Sequence, residues 1–219
     1  MKKFIKTGIL LVSIFLIAQS SWALPIVAGD KVYMNTSPNT NFQYVVTNAQ
    51  SRGTWSSYYS FCLESQVRFY PTWTYTVQSV ANYATGGGGG AVNGKDYVST
   101  QSKWLYASYM SNVFGQSSGL KNQLQRAIWA LEGEVGGSWS DWNYFNSNYK
   151  SYGYDTGYDT GYDTTGWDIK AINVVDYWGR DAQSQLVGQY NPVPEPATMV
   201  LFGIGLLGIA GMGRKRTKK

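Results

Sequence analysis

The sequence predicts an α+β fold: an antiparallel β-sandwich or barrel-like domain with a helical pair inserted into it. Near both ends of the body of the chain, apolar and polar residues alternate at a period of two. Between these regions the apolar period lengthens to that of a helix. The composition agrees, with 16% aromatic and only 14% charged residues, the balance of an extracellular, β-rich surface.

The alternation begins in "NFQYVVT", which places Phe42, Tyr44 and Val46 on one face. It is cleanest in "TWTYTVQSV", where Trp73, Tyr75 and Val77 oppose Thr72, Thr74, Thr76 and Gln78. Between them "SFCLESQVRFY" reads as a strand carrying Cys62, and "DIKAINVVDYW" and "AQSQLVGQY" read as closing strands. The helices are expected near 101–115 and 118–135. In the second, Leu120, Leu124, Ala127, Ile128 and Leu131 form an apolar stripe, Ser118 can cap the start, and Gly133, Gly136 and Gly137 end it. The run Gly86–Gly90 reads as a flexible connector. The Tyr-Asp-Thr-Gly repeat sets Asp155, Asp159 and Asp163 four apart, a loop spacing that does not match a calcium loop of the EF-hand kind.

The ends of the chain are addresses. Residues 1–23 combine Lys2, Lys3 and Lys6 with a short apolar run and small residues before a cut after Ala23, the pattern of a secretory signal removed by signal peptidase. Residues 192–219 contain Pro194, Glu195 and Pro196, then an uncharged stretch over about 197–213. A basic tail at 214–219 follows, with Arg214, Lys215 and Arg216. Such a stretch can span a bilayer as a helix with its basic end cytoplasmic. This segment resembles the PEP-CTERM sorting signal. The resemblance implies membrane anchoring through the C-terminal helix, recognition by an exosortase, and delivery to the cell surface or the exopolysaccharide matrix.

These addresses hold eight of the eighteen Lys and Arg residues and one of the thirteen acidic residues, Glu195, so the remainder has ten basic against twelve acidic residues. No basic face is left for nucleic acid. The absence of histidine excludes Ser-His-Asp and Cys-His catalysis and histidine metal sites, and no cofactor or metal is expected.

One cysteine, Cys62, stands in this exported chain, where an internal disulfide would need two. Taken alone it reads as a small buried hydrophobe. Gln125 taken alone reads as a polar residue at the flank of the helical stripe, about 100° from its centre. Together, Phe61-Cys62-Leu63-Glu64 and Leu124-Gln125-Arg126-Ala127-Ile128-Trp129 resemble the two motifs of the internal thioester domains of bacterial surface adhesins. The aromatic-rich "KWLYASYMSNVFG" stands where that family has its intervening helix. The resemblance implies that the Cys62 sulfur replaces the amide nitrogen of Gln125, storing an electrophile for covalent attachment to a surface or matrix polysaccharide or protein. Glu64 is then a candidate to assist proton transfer, and Phe61, Trp104 and Trp129 are candidates to shield the bond. Such a protein reacts stoichiometrically and is not an enzyme.

The residues also admit a non-catalytic matrix or glycan-binding protein, with Trp139, Trp142, Tyr144 and Trp167 stacking on sugars and an inert cysteine. A glycosidase built on Glu132 and Glu134 is disfavoured, because residues two apart on a helix diverge.

Overall fold

The structure, a computed structural model, describes residues 24–36, 43–48, 57–67, 69–150, 161–191 and 204–205. The signal segment, Phe42, Asp155, Asp159 and the sorting segment (apart from 204–205) lie outside the described residues. In chain order the elements are β1 (Lys31–Thr36), β2 (Gln43–Asn48), β3 (Ser57–Cys62), β4 (Trp73–Ala81), β5 (Tyr83–Ala84) and β6 (Asp96–Tyr97). Three helices follow, α1 (Thr100–Met110), α2 (Ser118–Leu131) and α3 (Trp139–Tyr149), and then β7 (Trp167–Val175) and β8 (Asp181–Tyr190). Among the described residues no helix is long and apolar enough to cross a membrane.

Six strands close into an antiparallel barrel in the order β1-β2-β3-β8-β7-β4, and β5 pairs with β6 in a separate ribbon. Closure removes the free edges that an exported β domain would otherwise present for aggregation. The predicted alternation is met where burial is complete. Tyr75 and Val77 of β4, Val32 and Met34 of β1, and Val46 of β2 fill the barrel with Ile172, Val174 and Val187. Trp73, on the same face as Tyr75, sits at the barrel mouth and is partly exposed.

A second core lies between the barrel wall and the helices. Phe61, Ile169, Ala171 and Leu186 face outward from their strands and pack with Trp104, Leu105, Leu124, Ala127, Ile128, Trp142 and Phe145. Burial of each of the larger aliphatic and aromatic side chains among them contributes roughly 1.5–3 kcal/mol. Tyr106 of α1 crosses this layer, and its hydroxyl donates to the carbonyls of Tyr59 (2.9 Å) and Gly188 (3.3 Å). Gly188 makes that approach feasible, since a Cβ there would lie 2.7 Å from the tyrosine ring.

Each helix starts at a serine, Ser99, Ser117 or Ser138, whose hydroxyl accepts the N–H three residues on. The cap of α2 is therefore Ser117 and not Ser118. Helix α1 stops at Met110, short of Gly115, because Asn112 takes a left-handed φ of 61° and the Val113 N–H returns to the Ser108 carbonyl. Helix α2 ends at Leu131, with Gly133 left-handed at 73°.

The helical insertion is three helices rather than two. The segment read as a display of stacking aromatics is α3. It packs on α2 and buries Trp142 and Phe145, and Arg126 of α2 pairs with Asp141 at 2.7 Å.

Candidate functional site

Cys62 is the last residue of β3, and the site is built around that strand end. On one side β8 continues the ladder, pairing Gln185 with Cys62. On the other, the β2 ladder described runs from Gln43, opposite Phe61. The Gln125 side chain from α2 bonds the Cys62 backbone directly. Its Oε1 accepts the Cys62 N–H at 2.8 Å, and its Nε2 donates to the Cys62 carbonyl at 2.7 Å.

Gln125 is fully buried. Read from sequence as a polar residue at the flank of the stripe, it has both ends of its amide bonded to the Cys62 backbone inside the fold. Gln123, two residues before it on the same helix, is only partly buried.

The thiol itself lies on the opposite face of β3 from Phe61, where the Gln185 amide donates to Sγ at 3.4 Å and Ser60 donates to Gln185 Oε1 at 3.0 Å. Burial pushes the Cys62 pKa up to about 12; the Gln185 hydrogen bond works against this and the nearby Glu64 charge adds to it. The sulfur is thus held as a neutral thiol at physiological pH. Gln185 escaped sequence reasoning because its closeness comes from a ladder between strands 123 residues apart.

Glu64 is buried beside the strand end. Its carboxylate accepts the Ser184 N–H at 2.8 Å, and its carbonyl accepts from the Gln183 amide. Desolvation raises its pKa, opposed mainly by Ser184. Of the proposed shielding residues, Phe61 is buried beneath Tyr106 and Tyr109, whose rings meet it edge-on at 6.3 and 5.4 Å. Trp104 lies within the helix layer against Phe114, Trp142 and Tyr162. Trp129 is half-buried.

Glu132 and Glu134 belong to the frame of this site. Glu134 accepts Ser65 N–H (2.8 Å), Ser65 Oγ (3.0 Å) and Gly89 N–H (3.0 Å), while Glu132 accepts from Ser99 Oγ at 2.8 Å. The glycine run read as a flexible connector is instead laid against the carboxylates of Glu64, Glu134 and Asp96 and the backbone oxygens of Glu132 and Gly133. Asp163 of the repeat accepts from Thr165 in a local turn. Among the described residues no group of His, Cys, Asp or Glu is arranged to hold a metal ion. Two of the four aromatics suggested for sugar stacking are withdrawn from solvent, Trp142 buried and Trp167 half-buried, while Trp139 and Tyr144 are exposed.

One match to known sequence families is found, and it is a sorting motif confined to the tail. Residues 192–216 match the PEP-CTERM protein-sorting motif. That motif implies passage through the membrane, processing by exosortase and sorting to the cell surface. Neither a curated protein nor a solved structure matches the chain.

Proposed function

We propose that the barrel domain forms an internal thioester between Cys62 and Gln125 and uses it to attach covalently to an amine or hydroxyl on a surface or matrix partner. The observation that carries this reading is the docking of the Gln125 carboxamide onto the Cys62 backbone through two hydrogen bonds, 63 residues apart in sequence and sealed from water. The lone cysteine and the sorting of the chain to the cell surface support it.

The residues divide the chemistry as follows. The sulfur leaves Gln185, rotates about Cα–Cβ and attacks Cδ of Gln125. Negative charge builds on Oε1, where the Cys62 N–H already points, so the nucleophile's own backbone supplies an oxyanion donor. The S–C bond forms, the C–N bond breaks, and the thiol proton leaves with the nitrogen as ammonia. Glu64, its carboxyl shifted toward the protonated form, is the nearest acidic group in sequence that could relay that proton.

Later a partner amine or hydroxyl attacks the same carbonyl. An amide or ester forms, the C–S bond breaks, and Cys62 recovers its proton. Because burial disfavours the free thiolate, sulfur is a reluctant leaving group inside the fold, which keeps the bond latent until a nucleophile is seated. Each molecule reacts once.

Intact mass tests this directly. The purified protein is expected one ammonia lighter than its sequence, with methylamine restoring the mass and freeing one thiol. Cys62→Ala and Gln125→Ala each remove the deficit, while Gln185→Ala retains it. Full mass with a freely alkylated thiol would leave Cys62 as an inert core residue. Fragment masses placing the link at Gln185 would sink the assignment to Gln125.

A further inference from the structure

The geometry points to a carbohydrate-binding platform at the mouth of the barrel, formed by Tyr70, Trp73, Tyr177 and Trp178, that receives a polysaccharide by stacking on its pyranose rings. It is separate from the Cys62–Gln125 chemistry and does not depend on it. Tyr177 and Trp178 are 86% and 62% exposed at the tip of the β7–β8 hairpin. Trp178 tilts against Trp73 at 5.6 Å, and Trp73 stacks on Tyr70 at 4.8 Å with their planes 27° apart. Exposed aromatic surface in one contiguous run marks an interaction site.

The rings are held in place before any ligand arrives. Asp176 accepts the N–H groups of Trp178 (2.9 Å) and Arg180 (3.0 Å), and its other oxygen takes the Arg180 guanidinium at 2.7 Å. Arg180 also lies over the Trp178 ring, 4.7 Å from its centre. On the neighbouring loop, the Tyr75 hydroxyl clamps the Tyr70 backbone through both its N–H and its carbonyl. Thr72, between the two stacked rings, is held at a φ of 71°. Strain of this kind in a turn that presents side chains is maintained only by the surrounding structure.

The surroundings select a sugar. Beside the rings lies a cavity of about 110 Å³ lined by Tyr70, Tyr75, Asp176, Arg180, Asp181 and Ala182. A carboxylate and a guanidinium at the foot of aromatic faces match hydroxyl groups flanking an apolar C–H face. A bilayer is disfavoured, because Asp176 and Asp181 stand at the base of the hairpin and the body outside the two addresses carries more acidic than basic residues.

Native gel electrophoresis of the purified protein through gels containing soluble β-glucan, xylan, galactomannan, galactan or alginate tests the proposal. Retardation is expected in at least one gel, weakened about tenfold or more by Trp178→Ala and by Tyr177→Ala. Both residues are outside the core, so thermal melting should match the wild type. Cys62→Ala should bind as the wild type does, which separates this site from the thioester. Migration unaffected by all five polymers would overturn the proposal, as would retardation that Trp178→Ala leaves intact. Sedimentation with phosphatidylglycerol vesicles, or self-association, that Trp178→Ala abolishes while no gel retards the protein would reassign the platform and overturn it too.

Discussion

Thr72 shows how much one residue can be constrained. A β-branched side chain at a φ of 71° is rare, and the position follows Pro71 in a turn whose N–H is fixed to the Met34 carbonyl at 2.8 Å. Left-handed backbone at a non-glycine residue costs about 1–3 kcal/mol, and glycine's extra freedom in the unfolded chain returns part of that. Thr72→Gly is therefore expected to stabilise the fold by about 1 kcal/mol, a rise of roughly 2–4 °C in Tm measured by calorimetry. Gln125 is constrained in the opposite sense, because both ends of its amide are used. Gln125→Glu keeps the shape but removes the donor, setting a carboxyl oxygen against the Cys62 carbonyl in a buried place. The expected result is a loss of about 1–3 kcal/mol in urea unfolding together with loss of the ammonia deficit. A variant as stable as the wild type would mean that the Nε2 bond contributes little to the fold.

At the scale of elements, the glycine loop is the part least visible in the sequence. Its partners come from β6, from the end of α2 and from the turn after β3, so no local pattern announces them. Gly89 is the tightest point, where an added Cβ would sit 1.9 Å from the backbone oxygen of Gly133. Gly89→Ala should cost about 2–3 kcal/mol, read as a lowered urea midpoint, because two backbones must part. Strands were legible wherever one face is buried, as in Tyr75 and Val77, since alternation reports burial directly. Helix α3 was not, because Asn and Ser dilute its pattern and its aromatic residues suit a display surface as well as a core. Cys62 and Gln125 were legible as a pair only through their motifs. Gln185, Ser184 and Glu134 entered the site through pairings that only the closed barrel creates. The start of the body is an element with a prediction of its own. The Leu24 N–H donates to Asp168 Oδ2 at 2.9 Å. A cut after Ala23 would turn that nitrogen into an ammonium and the hydrogen bond into an ion pair. Asp168→Asn should then lower the Tm more in a chain beginning at Leu24 than in one carrying an N-terminal extension.

Across the whole molecule, the carboxyl groups of Glu64, Glu132 and Glu134, from distant elements, act on that of Asp96, and their repulsion has a consequence for pH. Burial raises the Asp96 carboxyl to about 7, with Glu132, Glu134 and Glu64 adding to the rise. Burial also raises Glu64 and Glu132, the latter opposed by Ser102 and Ser99 and, more weakly, by Lys103. An acid whose pKa is higher in the folded state binds protons there that the unfolded chain has already released. Its contribution is complete below the unfolded value of about 4 and is lost as pH climbs through the folded value. Asp176 runs the other way: hydrogen bonds from Arg180 and Trp178 outweigh desolvation and lower its pKa, so its contribution is lost as pH falls below about 4. Between about pH 4 and 7 the buried cluster therefore dominates, and stability should decline as pH rises, levelling off above 7. Urea midpoints at half-unit steps from pH 5 to 8 check this. Asp96→Asn, which removes the group with the highest of these shifts while keeping its shape, should flatten the upper part of the slope. A midpoint that rises over that range, or an Asp96→Asn profile parallel to the wild type, would show that the cluster holds its protons no more tightly folded than unfolded.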